Sequence, residues 1–336
     1  MDRRQFLKVM GGGIGATLLG QGLPGIAFGQ KKRMSLATGP VGGVYYPLGG
    51  GMANVISKYV GGLEVTSELT QGSVDNCRLI HMGKAELAMV MADIAFDAYS
   101  AAGRFKDLPK GGIQTLFVIY NNYLHTVAAE GKGIKTFFDL KGKRLSTGSP
   151  GSGSEVISMR LLEAHGINPE KDIKRERLGP GEASGALKDG KIDAFFWMAG
   201  IPMPIVMDLV HTPGMHIRLL AHDKGIPNMR QKYGPYYFQL IIPKGSYKGI
   251  DYEVPVLCVS NLLICNPKLD EKDAHSIVKV IMENKKELVV VHKEAENISL
   301  QSAVVGSPIP FHPGAIKYYQ EKGIKILTSS GVSVDS

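Results

Sequence analysis

Cysteine is scarce: the 336 residues hold only Cys77, Cys258 and Cys265. An odd, widely spaced set excludes a disulfide framework and a Cys-x-x-Cys centre. Cys258 and Cys265 lie seven apart in an extended apolar run, which predicts side chains on opposite faces of a strand and no pairing. Three buried thiols are expected. The nine histidines are scattered without a His-Glu-x-x-His pair, which argues against a zinc hydrolase. No serine has glycines two residues away on both sides, so the hydrolase elbow is missing. Gly148 and Gly153 have P-loop spacing, but Ser154 and Glu155 stand where lysine and a hydroxyl residue belong. The net charge of +8 is spread along the chain. Without a stripe of basic and aromatic residues, a nucleic-acid partner is not expected. No catalytic group, metal ligand or cofactor motif emerges, and the chain reads as a non-enzyme.

Glycine and serine are what the chain has instead. Thr38 to Gly51 reads TGPVGGVYYPLGGG between a short apolar strand, Met34 to Ala37, and an amphipathic helix carrying Leu48, Met52, Val55, Ile56 and Tyr59 on one stripe. Glycines between a strand and a helix let backbone approach a ligand, and the free N–H groups of the first turn favour an anion. Gly43, Val44, Tyr45 and Tyr46 are the candidates here, the tyrosines supplying ring faces and hydroxyls. The alternative is a tight connection with core tyrosines.

A counterpart follows the strand Arg144 to Thr147, in Gly148-Ser149-Pro150-Gly151-Ser152-Gly153-Ser154. Ser149, Ser152, Gly153 and Ser154 either close around a carboxylate or serve only to cap the next helix, which Gly166 ends. Ser73 opens a helix and either caps it or offers its hydroxyl to a cleft. Asp93 follows the strand Leu87 to Met91 and either caps the next helix or faces the ligand. Trp197, the only tryptophan, ends the strand Ile192 to Trp197 ahead of Gly200; it either closes over an apolar stem or packs in the core. Arginine clamps are not evident in these loops, which predicts a hydrogen-bonded site with little charge.

Strands and helices alternate from Met34 to Tyr120 and again from Arg144 to Leu220, which predicts α/β architecture with mainly parallel sheets flanked by helices. The length favours two lobes over one core. Val254 to Cys265 is the most continuous strand signal, followed by helices around Glu271 to Asn297 and Pro313 to Glu321. At the start, Arg3-Arg4-Gln5-Phe6-Leu7-Lys8 matches a twin-arginine export signal, with a glycine-rich apolar stretch behind it and Ala27-Phe28-Gly29 for cleavage. Residues 1–29 are therefore expected to be a removable leader, and the remainder a soluble periplasmic protein.

Four blocks in order carry a resemblance: TGPVGGVYYPLGGGMANVISK, TQGSVDNCRLIHMGKAELAMVMADIAFDAY, DLKGKRLSTGSPGSGSEV and HPGAIKYYQEKG. Together they resemble the TAXI-type solute receptors of TRAP transporters, over nearly the whole chain from Thr38 to Gly323. The chain departs at Met91-Ala92-Asp93, where that family usually has Gln-Ser-Asp. The resemblance implies a two-lobed type II periplasmic binding protein with the ligand cleft between lobes. Its layout would be residues 30–123 in lobe 1, 124–253 in lobe 2, and 254–336 returning to lobe 1. It also implies a small-molecule solute that is an amino acid or dicarboxylate, such as glutamate or 2-oxoglutarate, handed to a TRAP membrane subunit. A sensor receptor feeding a membrane kinase and an exported enzyme are the competing readings.

Overall fold

A computed structural model describes residues 31–326; the expected leader lies outside these residues. The first series is β1 (Lys32–Ala37), α1 (Tyr45–Tyr59), β2 (Leu63–Glu68), α2 (Ser73–His81), β3 (Leu87–Met91) and α3 (Ala92–Tyr99), leading into the long strand β4 (Gln114–Ala129). The second is β5 (Arg144–Ser146), α4 (Gly153–Ala164), β6 (Lys174–Glu176), α5 (Pro180–Lys188), β7 (Ala194–Ala199), α6 (Pro204–His211) and β8 (Ile217–Leu219). Next come α7 (Ile226–Tyr233), β9 (Phe238–Ile242) and β10 (Val254–Cys265), and then α8 (Glu271–Glu283), α9 (Lys285–Val291) and α10 (Pro313–Glu321).

All ten strands form one sheet, ordered β2-β1-β3-β10-β4-β7-β5-β6, with β9 added to β10 and β8 to β4. In each series the first strand lies between the other two and is parallel to both: β1 between β2 and β3, β5 between β6 and β7. Parallel strands with helical crossovers need cover on both faces, which is why LAMVM of β3 is buried throughout. Helices α1, α5, α6, α8, α9 and α10 supply the core on one face, and α2, α3, α4 and α7 the core on the other. The two parallel sets do not touch directly. They are joined by β4 and β10, antiparallel to each other; β10 borders β3 and β4 borders β7.

Sequence signals and structure part at several places. The strand expected to stop at Tyr120 continues through Asn121, Asn122 and Tyr123 to Ala129. Asn122 is buried in this continuation and donates to Asn261 Oδ1 at 2.8 Å. Cys258 and Cys265 fall in the same core, not on opposite faces, because β10 slips register against β4 between Ser260 and Leu262 and again between Leu263 and Ile264. All three thiols are free and buried, as expected. Helix α5 was hidden by Pro180-Gly181, although Pro at its start and the Glu182 carboxylate accepting from Gly179 N at 3.0 Å are helix-opening features. Strand β6 has no apolar alternation, since it is three residues of Lys-Arg-Glu.

Helix α10 lies so close to α8 that a Cβ on Gly314 would sit 2.2 Å from the Glu271 carbonyl oxygen. Backbone cannot yield as a side-chain tip can. Gly314→Ala should therefore cost about 1–3 kcal/mol and lower the thermal midpoint by several degrees. Gly185→Ala, in α5 with open space around it, should gain up to about 1 kcal/mol from helix propensity. Calorimetric melts of the two variants check the pair.

Candidate functional site

The loops that follow β1, β2 and β5, with the carboxyl-terminal residues of β3 and β7, surround one cavity beside β4, the usual place for a ligand in an open α/β sheet. The empty space between its walls, including the part open to solvent, is ≈ 350 Å³. Pro40, Gly43, Val44 and Tyr45 come from the β1–α1 turn; Gln71, Gly72 and Ser73 precede and open α2. Ser152, Gly153 and Ser154 open α4, and Met91, Met198, Trp197, Tyr120 and Asn122 come from strands. Among these residues no side chain is charged.

Close packing explains the glycines. Gly42 has φ +93°, and a Cβ there would lie 2.6 Å from Ile205 of α6, so the β1–α1 turn rests on the other half of the sheet. A Cβ on Gly153 would come within 2.2 Å of the Met91 side chain. The start of α4 is thus pressed against the end of β3. Asp75 N donates to Gly151 O at 3.1 Å across the same seam.

Three helices begin at the cavity. Neither α1 nor α2 has a side-chain cap; the N–H groups of Tyr45 and Tyr46 in α1 and of Ser73 and Val74 in α2 remain for water or a guest, while Asp75 N is taken by Gly151 O and Pro47 has none. Helix α4 is capped by Ser152, whose Oγ accepts from Glu155 N at 3.1 Å and donates to Ser149 O at 2.7 Å. Ser73 does not cap α2, since Gly72 holds that position; its Oγ accepts from Met91 N at 3.1 Å. Ser154 repeats the arrangement, accepting from Met198 N at 3.0 Å. In both, the backbone N–H occupies an acceptor site of the oxygen and the hydroxyl hydrogen is left to donate.

Deeper in the cavity, Tyr45 donates its hydroxyl to Asn261 Oδ1, which also accepts from Asn122 Nδ2. Burial raises the Tyr45 pKa far above its ordinary value, so the phenol stays neutral. Tyr120 OH and Asn122 Oδ1 are buried with no partner among the described residues.

The remaining candidates sit elsewhere. Tyr46 is exposed and off the cavity wall. Ser149 lies behind the wall, its hydroxyl buried and unpartnered. Gly200 packs on Glu294, where a Cβ would meet Cγ at 2.4 Å. Asp93 neither caps α3 through its side chain nor lines the cavity. Its Oδ2 accepts from Tyr237 OH at 2.8 Å and Arg160 NH1 at 3.3 Å, while Arg160 also pairs with Asp97. This buried cluster ties α3 of the first series to α4 of the second. Glu155, also buried, adds ion pairs to Arg175 at 2.5 Å, Arg177 at 2.6 Å and Arg104 at 3.5 Å.

Sequence reading missed Tyr120 and Asn122. Their signal was present, as polar groups inside an otherwise apolar strand are informative when buried. With the strand ending at Tyr120, neither group counts as part of a buried strand face.

The match to the NMT1-like family runs over residues 36–323. This chain belongs to that family. Three solved structures show the fold of this NMT1-like protein. One, a protein from Bordetella bronchiseptica RB50, is 18% identical with a TM-score of 0.52, covering 87% of this chain and 89% of that one. The ligand-binding component of an ABC-type import system from Staphylococcus aureus, solved with zinc bound, is 12% identical with a TM-score of 0.50 over 87% and 89%. The binding-protein component of an ABC phosphonate transporter from Pseudomonas aeruginosa is 10% identical with a TM-score of 0.50 over 79% of each chain. The fold is the two-lobed α/β fold of periplasmic binding proteins. Among the described residues no helix is long and apolar enough to cross a membrane, and no cluster of three or more metal-ligating side chains occurs.

Burial raises the Asp93 carboxyl to about 6, against the pull of Arg160 and Tyr237. The folded chain then holds this proton more tightly than the unfolded one, so the stability it contributes is full below about pH 4 and is lost as pH rises through about 6. The difference in thermal midpoint, wild type minus Asp93→Asn, should fall between pH 4 and 6.5. A flat difference would mean that Asp93 titrates as an ordinary carboxyl.

Proposed function

We propose that this NMT1-like protein is an extracytoplasmic solute receptor without catalytic activity. In this reading it closes two lobes on a small organic anion and delivers it to a membrane transporter. The lobes are residues 30–123 with 254–336, and residues 124–253; residues 1–29 are the export leader and the site of action is the periplasm. One observation carries the proposal. Ser73 and Ser154, from opposite halves of the sheet, each accept a backbone N–H and keep a hydroxyl hydrogen to donate into one uncharged cavity among three helix starts.

Such donors suit a carboxylate. The field at helix starts favours negative charge, and fixed dipoles bind it without a salt bridge. Gly43, Val44, Tyr45, Ser152, Gly153 and Trp197 then shape the remainder. Tyr46, Asp93, Ser149 and Gly200 act on this reading from outside the wall, and Asp93 serves through Arg160. The resemblance to TAXI receptors supports glutamate or 2-oxoglutarate as the ligand type and a TRAP membrane subunit as the partner. Closure follows only if the solute binds the closed state better than the open one.

Thermal unfolding of protein freed of carried-over solute, with amino acids, oxo acids and other carboxylates, tests the proposal. A true ligand at 100 times its Kd adds about 2.7 kcal/mol and should raise the midpoint by several degrees; no response to any carboxylate would overturn it. Ser73→Ala and Ser154→Ala should each weaken the responsive solute by about tenfold. Each bares a buried N–H as well, so a loss of about 1–3 kcal/mol in stability is expected alongside.

A further inference from the structure

The cavity holds donors and one group of the opposite kind. Ser73 and Ser154 present hydroxyl hydrogens, whereas Asn122 Oδ1 can only accept. In the observed arrangement Tyr45 OH and Asn122 Nδ2 both donate to Asn261 Oδ1, and Asn122 Oδ1 on the cavity wall is left without a partner among the described residues, as is Asn261 Nδ2 behind it. Tyr120 OH, on the same strand face two residues away, is likewise buried and unpartnered. A bare buried acceptor costs as much as a lost hydrogen bond, so a guest that fills this end must bring a donor.

The charge of that donor is constrained too. No carboxylate lines the cavity to balance an ammonium, and the helix starts around it carry positive partial charge. Asp93, a buried carboxylate off the cavity wall, has its Oδ2 bound by Arg160 and Tyr237. A second carboxylate on the guest would bring only acceptors to the Asn122 oxygen.

We infer that the solute is a hydroxylated monocarboxylate, its carboxylate held by Ser73 and Ser154 and its hydroxyl donating to Asn122 Oδ1 while accepting from Tyr120 OH. The inference rests on the carboxylate-receptor reading and replaces its amino-acid and dicarboxylate ligand type with a hydroxy acid.

Titration calorimetry of the full chain with 2-hydroxybutanoate, 3-hydroxybutanoate, butanoate, 2-aminobutanoate and butanedioate tests it. At least one hydroxy acid should bind about tenfold or more tighter than butanoate, the cost of baring one buried acceptor, and tighter than the amino acid and the diacid. In Asn122→Ala and in Tyr120→Phe, which removes a single oxygen, that ratio should fall toward one. A tighter amino acid or diacid, or a ratio near one in the wild type, overturns the hydroxy-acid assignment and leaves the carboxylate reading standing. No binding by any of the five, in protein that also fails to respond to the wider carboxylate panel, overturns both.

Discussion

The antiparallel pairing of β4 with β10 is the constraint on which the site depends. Each parallel set has its third strand against one of these two, β3 beside β10 and β7 beside β4, so a single ladder fixes where both sets point their carboxyl ends. The ladder also carries part of the wall. Tyr120 and Asn122 lie on β4, and Asn261 on β10 receives hydrogen bonds from Asn122 and from Tyr45 at the start of α1. A slip in that register would move the cavity floor relative to both serines. The register irregularities on either side of Leu262 and Leu263 lie next to Asn261, which holds Asn122 and Tyr45 from behind the wall, and return Cys265 to the core shared with Cys258.

Charge is kept close to the cavity and out of it. Arg160 with Asp93 and Asp97, and Glu155 with three arginines, form buried or half-buried clusters behind the starts of α3 and α4. Paired in this way, they lend the seam between the two series polar cross-links, and none of their side chains lines the cavity. What faces the cavity is fixed dipoles: backbone N–H groups, hydroxyls and amides. Hydrogen bonding to fixed dipoles is directional and asks for a matching pattern of donors and acceptors, which is why the unpartnered Asn122 and Tyr120 groups define the polarity of the cavity more sharply than the paired charges behind it.

Much of this was legible in the chain itself. The α/β alternation, the glycine turn after β1, the serine loop before α4, and the strand Val254–Cys265 and helix Pro313–Glu321 with their observed bounds all follow from periodicity and turn chemistry. These are local properties, set within about ten residues by which side chains alternate and where backbone can turn. Helix α7 and strands β6 and β9 escaped because they are short, with mixed or polar faces. So did the continuation of β4 beyond Tyr120, where Asn121 and Asn122 interrupt the apolar run.

The sequence by itself thus determined the class of fold and the glycine and serine loops that come to line the cavity. Tertiary structure alone decided which hydroxyls keep a free hydrogen, since that depends on Met91 and Met198 N–H groups distant in the chain from Ser73 and Ser154. It also separated Asp93 from the cavity by giving it Arg160 and Tyr237, and brought Tyr120 and Asn122 in. The physical reason is common to all of them. A hydrogen bond formed across many residues of chain depends on where the backbone puts its partner, and composition and spacing hold no record of that.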